Sequence, residues 1–181
     1  MKITYRKATE DDVYGYEYVS AISWKDTYWN LLPKYHLKKR VERLTKPEEL
    51  EPKLQSLRKH INENPGKVFV ALDKNKIVGI LEIKENKEQY PGYGNIDSLY
   101  VLPEYKGYGI GKSLFFIGIK ELMKLGYNKM QLECLKGNNT LDFYKKYNGT
   151  VVETVKWKLY NRNKKVDIVK FENIKEILEE K

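Results

Sequence analysis

Three glycines alternate with other residues in the stretch Lys106-Gly107-Tyr108-Gly109-Ile110-Gly111-Lys112. An apolar, strand-like segment ending at Val101 precedes this glycine-rich turn, and a helical pattern follows it to about Leu125. Glycine tolerates positive φ angles and lets the backbone approach a ligand closely. The start of the helix then offers unpaired N–H groups and the positive end of a dipole, so the sequence predicts an anion-binding turn.

The spacing of the glycines separates this turn from two other phosphate-binding motifs. A P-loop, G-x-x-x-x-G-K-[ST], would need a glycine where Lys106 stands, although Gly111-Lys112-Ser113 supplies its last part. A dinucleotide fingerprint, G-x-G-x-x-G, would need a glycine where Lys112 stands. A merely flexible turn is disfavoured by the strand before it and the amphipathic helix after it. The expected apolar face of that helix is formed by Gly111, Leu114, Phe115, Gly118, Leu122 and Leu125.

The whole chain of 181 residues is predicted to form a single domain of the α+β (mixed α/β) class, residues 1–181. Seven strands predict one mostly antiparallel central sheet flanked by helices. The predicted strands are 3–8, 67–72, 77–83, 93–101, 129–134, 151–159 and 166–171. Helices are expected from a capping box at Thr9 to about Ser23, over 33–44, from about 47 to 64, after the glycine-rich turn and over 138–147. Residues 172–181 are expected to form a short charged C-terminal tail.

The segment Leu99 to Lys112 resembles the acetyl-CoA-binding motif of the GNAT superfamily of N-acetyltransferases, [QR]-x-x-G-x-[GA]. Lys106 stands at the Gln/Arg position, which keeps the positive charge but loses bidentate geometry. The resemblance implies that the loop holds the pyrophosphate of acetyl-CoA and that backbone groups of Leu99 and Val101 pair with the pantetheine arm. The implied cofactor-binding residues are Leu99, Tyr100, Val101, Lys106, Gly107, Tyr108, Gly109, Ile110, Gly111, Lys112, Asn138 and Tyr144.

A second segment, 137–149, resembles the N-x-x-A-x-x-F-Y-x-K-x-G motif of the same superfamily. Thr140 replaces the alanine, and the interval from Asn138 to Tyr144 is one residue shorter than in many members. In this context Tyr144 is implied to be the general acid that protonates the thiolate leaving group. The alternative is a tyrosine of an amphipathic helix that packs on the sheet.

An attacking amine must be neutral, so a carboxylate, directly or through water, is expected to accept its proton. Asp97 on the fourth strand is the candidate base, and Glu82 and Glu133 are the alternatives, each of which is otherwise a solvated strand carboxylate. A backbone N–H near Val101 or Leu99 is expected to stabilise the negative charge on the thioester oxygen.

The resemblance implies that the acceptor side lies with the first two helices and the loop between them. Here that region includes Trp24 to Pro33, where aromatic residues are interleaved with polar ones that could line a pocket. The alternative is a packed helix–loop–helix corner. Asp26, Glu82 and Asp97 would attract a cationic amine such as a polyamine, an aminoglycoside or a peptide N-terminus.

One cysteine, Cys134, and two histidines predict neither an internal disulfide nor a metal site, and an acyl-cysteine intermediate is disfavoured. With neither a signal sequence nor an apolar span of about 20 residues, we expect a cytoplasmic protein that does not insert into membranes.

The formal net charge of +9 raises the possibility of a nucleic-acid-binding protein. The basic segments Lys156-Trp157-Lys158 and 161–165 are short, so a lysine-rich surface is favoured and no nucleic-acid partner is expected. The resemblance implies an N-acetyltransferase that uses acetyl-CoA and acts on a small-molecule or peptide amine, and a homodimer is left open. A non-catalytic acyl-CoA-binding regulatory module is the alternative.

Overall fold

A computed structural model describes residues 2–85 and 88–179. The strands are β1 Ile3–Lys7, β2 Val68–Asp73, β3 Lys76–Lys84, β4 Gly94–Val101, β5 Met130–Leu135, β6 Thr150–Leu159 and β7 Arg162–Phe171. The α-helices are α1 Val13–Tyr28, α2 Lys34–Glu42, α3 Pro47–Glu63, α4 Ile110–Lys124, α5 Thr140–Lys145 and α6 Ile174–Glu179. Short 3₁₀ turns cover Glu10–Asp12, Arg43–Thr45 and Pro103–Tyr105.

The seven strands form one sheet in the order β1-β2-β3-β4-β5-β7-β6. The pairs β1–β2, β2–β3, β5–β7 and β6–β7 are antiparallel, whereas β4 and β5 run parallel. In the described part of the chain, the β4–β5 register comprises Gly94↔Met130 and Asn95↔Gln131. The predicted α+β class, with a mostly antiparallel seven-stranded sheet flanked by helices, is therefore confirmed.

Residue contacts divide the chain into two compact units. The first unit comprises the chain up to Glu82 and Ser98–Phe115. The second unit comprises Ile83–Asp97 and the chain from Phe116 onwards. The extent of a single domain over residues 1–181 stays a prediction.

Strand β2 forms the centre of the first unit's core. Its residues 68–72 are all buried, which is typical of a strand that is covered on both faces. Helix α3 adds Leu50, Leu54, Leu57 and Ile61, which share one helical stripe and are buried. On β3, a Cβ added to Gly79 would lie 3.0 Å from Leu114 Cδ1, so this glycine permits close packing of the helix that follows the glycine-rich turn.

Strand β7 forms the centre of the second unit's core. It pairs with β5 from Met130↔Phe171 to Leu135↔Val166, and residues 166–169 are buried. Ile174 and Ile177 of α6 are also buried, so the charged C-terminal segment contributes an apolar face to this core.

Three element boundaries or faces differ from those expected. Helix α1 continues to Tyr28 rather than ending near Ser23, because nothing before Pro33 breaks the helical backbone. Strand β7 begins at Arg162 rather than 166, since the β6–β7 ladder extends to its turn despite the polar sequence. Leu125 is 45% exposed and does not join the apolar face of α4, because the helix ends one residue earlier and Gly126 turns the chain at φ 89°.

Candidate functional site

The glycine-rich turn begins where β4 ends. The Leu102 N–H donates to the Val78 carbonyl at 2.9 Å and fixes this end of the strand on β3. Gly107 and Gly109 then adopt φ angles of 85° and 79°, a region that L-residues with a side chain rarely occupy. A Cβ added at either glycine would meet nothing within 4 Å. Glycine is therefore needed at these two positions for the backbone conformation of an open loop. It is not needed there for close packing.

Helix α4 starts directly from this loop. The bond from Ser113 N–H to the Gly109 carbonyl, 3.0 Å, closes the first turn. Donors that precede Ser113 have no acceptor inside the helix, as at every helix start. Ile110 anchors the turn with 1% exposure, whereas Tyr108 is 68% exposed. The arrangement presents several backbone N–H groups and the positive end of the helix dipole beside an open loop, which suits an anion.

The first residue of the turn carries an ion pair. Lys106 Nζ lies 2.5 Å from Asp26 Oδ2, near the end of α1. Both side chains are about half exposed, so the pair is accessible to a competing anion. The structure thus places the predicted loop cation next to the carboxylate that the sequence suggested for the acceptor amine.

The last residue of β4 is bound by α1. Ser23 Oγ donates to the Val101 carbonyl at 3.1 Å. Backbone N–H and C=O groups point to alternate edges along a strand. The Leu102 N–H points to β3. The backbone N–H and C=O of the preceding residue, Val101, therefore point to the other edge of β4. The same alternation gives the backbone groups of Leu99 the direction of those of Val101.

An aromatic cluster links α1 to β4 and α2. The Tyr28 and Tyr100 hydroxyls are 3.4 Å apart, and the Trp24 ring packs edge-on against Tyr28 at 4.9 Å. The Arg40 guanidinium lies 4.6 Å from the Trp24 ring centroid and donates to Ser20 Oγ at 2.8 Å. Part of the predicted acceptor segment is therefore an aromatic wall that holds an arginine.

Glu82 lies in a buried polar cluster that the sequence did not reveal. The residue is 7% exposed, and its Oε1 lies 2.9 Å from His60 Nε2. Its Oε2 accepts from the Tyr16 hydroxyl at 3.3 Å, while Asn64 Nδ2 lies 3.3 Å from His60 Nδ1. The partners come from α1, α3 and β3, and no local pattern predicts that they meet.

Asp97, the candidate base, is paired within the second unit. Lys84 Nζ donates to Asp97 Oδ2 at 2.8 Å, and Asn95 Nδ2 donates to Oδ1 at 3.4 Å. Glu133, the other alternative, lies on β5 and is partly buried.

Tyr144 is buried in α5, where its ring makes edge contacts with Phe143 and Phe171 at centroid distances of 5.4 and 6.4 Å. Asn138 Oδ1 accepts from the Thr140 N–H at 3.0 Å and so supports the start of this helix.

Burial raises the pKa of the Cys134 thiol to about 11, and the nearby Asp167 carboxylate adds to the shift. A thiol that stays protonated is a poor nucleophile. Among residues 2–85 and 88–179, no cluster of three or more His, Cys, Asp or Glu side chains is arranged to hold a metal ion. In the same ranges, no helix combines the length and the apolar character that a membrane span requires.

Comparisons with known proteins agree with this fold and loop. The model of the acetyltransferase (GNAT) family matches residues 24–150. The uncharacterized N-acetyltransferase YuaI of Bacillus subtilis (strain 168) is 26% identical over 147 residues, which cover 80% of this chain and 79% of YuaI.

Solved structures with the same fold include two N-acetyltransferases. The PaiA N-acetyltransferase from Thermoplasma acidophilum, in complex with coenzyme A, is 20% identical and superposes with a TM-score of 0.66 over 92% of this chain and 98% of that chain. A ribosomal-protein-alanine N-acetyltransferase from Brucella melitensis is 18% identical, with a TM-score of 0.67 over 93% of this chain and 98% of that chain.

The fold and the matched segment, which includes the glycine-rich turn, define an acetyl-CoA-dependent N-acetyltransferase. The chain belongs to the acetyltransferase (GNAT) family. The predicted resemblance is confirmed.

Proposed function

We propose that this chain transfers the acetyl group of acetyl-CoA to a primary amine by direct attack in a ternary complex. The observation that carries the proposal is the open backbone at Gly107 and Gly109, with positive φ angles, directly before helix α4. Such a loop accepts a pyrophosphate without displacing any side chain.

The donor is proposed to lie along the loop and the end of β4. The backbone N–H groups of residues 107–112 would bind the pyrophosphate, and Lys106 would add its charge. The amide-bearing pantetheine arm would pair with Leu99 and Val101, whose backbone groups point away from β3. Tyr100 and Asn138 are also proposed to contact acetyl-CoA. Acetyl-CoA is a co-substrate here, and we propose no metal.

The proposed chemistry follows from the charges that must move. The amine nitrogen attacks the thioester carbonyl carbon and gives up a proton to Asp97, directly or through water. The N–H of Val101 or Leu99 would stabilise the oxygen that becomes negative. When the C–S bond breaks, the thiolate takes the hydroxyl proton of Tyr144, and the products are an acetamide and coenzyme A.

Two-substrate kinetics test the order of these steps. A ternary complex gives intersecting double-reciprocal lines, whereas an acetyl-cysteine intermediate gives parallel lines. Because the raised pKa keeps Cys134 protonated, Cys134→Ala should retain at least half of the wild-type kcat. Parallel lines, together with loss of turnover in that variant, would contradict direct attack.

The acceptor is proposed to be a small-molecule or peptide amine. The aromatic wall of Trp24, Tyr28 and Tyr100 would contact its apolar part. A cytoplasmic location is proposed because a lone thiol suits a reducing compartment. A homodimer stays a prediction.

A further inference from the structure

The end of the β6–β7 hairpin projects beyond its neighbouring strand. The β5–β7 ladder ends at Leu135↔Val166, whereas the β6–β7 ladder continues to Leu159↔Arg162. Tyr160 and Asn161 close the hairpin with φ angles of 50° and 57°, as a two-residue turn of type I′ requires. Residues 156–165 therefore form a two-stranded extension, which is named the basic ribbon here. A hydrogen bond from the Lys136 N–H, just after β5, to the Lys165 carbonyl joins it to the sheet.

The basic ribbon concentrates positive charge. Its ten residues contain five cations and no carboxylate: Lys156, Lys158, Arg162, Lys164 and Lys165. Lys156 lies directly opposite Lys165 in the ladder, an arrangement in which like charges repel and destabilise the sheet. Within the described residues, no carboxylate forms an ion pair with Lys156, Lys158, Arg162 or Lys165. The ribbon thus keeps a charge pattern that folding alone does not favour.

One face of the ribbon adds an aromatic ring. Trp157 is 42% exposed and lies directly opposite Lys164. In an antiparallel ladder, Arg162 is the diagonal neighbour of Trp157 on the same face. An exposed indole flanked by two cations is a surface on which a base stacks while its phosphates contact the neighbouring charges.

We infer that the basic ribbon is a binding site for single-stranded nucleic acid. The sequence suggested dispersed lysines, but the hairpin brings five of the chain's cations into one ribbon, and two of them, Arg162 and Lys164, share the face of Trp157. An acidic protein segment would match the charge, yet it would leave the exposed indole without a stacking partner. The proposal goes beyond acetyl transfer and does not depend on it.

Fluorescence anisotropy of the full-length chain with a labelled 12-nucleotide single-stranded RNA of mixed sequence tests the inference. Association should weaken with salt, with log K falling by about 0.7 per contacted phosphate for each decade of salt concentration. The triple variant Lys156→Gln, Lys158→Gln, Arg162→Gln should lower affinity at least tenfold and reduce that slope by about 2. Trp157→Ala should lower affinity about 5- to 150-fold with little change of slope.

The matched control neutralises three exposed lysines elsewhere: Lys59→Gln, Lys120→Gln and Lys175→Gln. This control should keep the RNA affinity within about twofold. An equal loss in the control and in the ribbon variant would overturn the inference, since net charge alone would then explain binding. An unchanged affinity of Trp157→Ala, or displacement of the RNA by a glutamate 12-mer at equal concentration, would also overturn it. Thiol release with acetyl-CoA should stay at the wild-type rate in all variants. The ribbon variant should melt no lower than the wild type, since it removes the repulsion between Lys156 and Lys165.

Discussion

Lys106 and Asp26 form an ion pair of 2.5 Å that ties the start of the glycine-rich turn to the end of α1. The pair balances the charge of the lysine in the free protein. A bound pyrophosphate would compete with Asp26 for the same amine, so donor affinity should depend on both residues.

We therefore expect Lys106→Ala to raise the KM for acetyl-CoA about tenfold, because one charge-assisted contact is lost, with kcat changed less than about twofold. Lys106→Arg should retain the wild-type KM, and Asp26→Asn should lower it, since the amine is released for the phosphate. Steady-state rates at fixed amine concentration measure all three. An unchanged KM in Lys106→Ala would remove this side chain from the donor site.

The proposed acid role of Tyr144 predicts a loss of rate rather than of binding. Tyr144→Phe removes only the hydroxyl, and kcat should fall about 100-fold with little change in the KM for acetyl-CoA. Tyr147→Phe is the matched control, because Tyr147 packs against Phe143 at 5.2 Å in the same segment. If both variants keep the wild-type kcat, the hydroxyl of Tyr144 has a packing role only.

The pH dependence of variants distinguishes Asp97 from Glu82 as the general base. If Asp97 accepts the amine proton, Asp97→Asn should lower kcat/KM at pH 7 by about 100-fold or more, and the loss should shrink towards pH 10, where a free alkyl amine is largely neutral. Glu82→Gln should keep the wild-type pH profile but lower the unfolding free energy, since Glu82 is buried with His60 and Tyr16. The reverse pattern would make Glu82 the base.

Asp12 is expected to make stability depend on acid pH. Burial alone would raise the pKa of Asp12, but hydrogen bonds from Arg6 and Thr9 hold it below its ordinary value of 3.8. The lowered pKa means that the stabilisation is complete at neutral pH and is lost as the pH falls below 3.8. Asp12→Asn should therefore lower the unfolding free energy at pH 7 by about 1–3 kcal/mol. This gap between the unfolding free energies of the wild type and the variant should narrow in acid.

Urea unfolding at pH 7 and at pH 3 measures this gap. Asp11→Asn is the control, because Asp11 is the exposed neighbour and should change stability by less than about 0.5 kcal/mol. A gap for Asp12→Asn that is as large at pH 3 as at pH 7 would contradict the role of its charge.

The sequence predicted what local patterns encode. Glycine spacing located the turn before α4, and short apolar segments between turn residues located the seven strands. It did not predict the contact of His60 with Glu82 or that of Ser23 with the Val101 carbonyl, since these partners are 22 and 78 residues apart. The sequence singled out both basic segments of the ribbon, but it placed the start of the last strand at 166 and so did not pair Lys156-Trp157-Lys158 with the cations of residues 162–165.

Acetyl transfer to an amine can be measured as thiol release from acetyl-CoA across a panel of polyamines, aminoglycosides and peptides with free N-termini. We expect release of coenzyme A with at least one amine, and each coenzyme A released should be matched by one acetylated amine detected by mass spectrometry. Tight binding of coenzyme A without turnover on any amine of the panel would contradict it and favour a non-catalytic acyl-CoA-binding module.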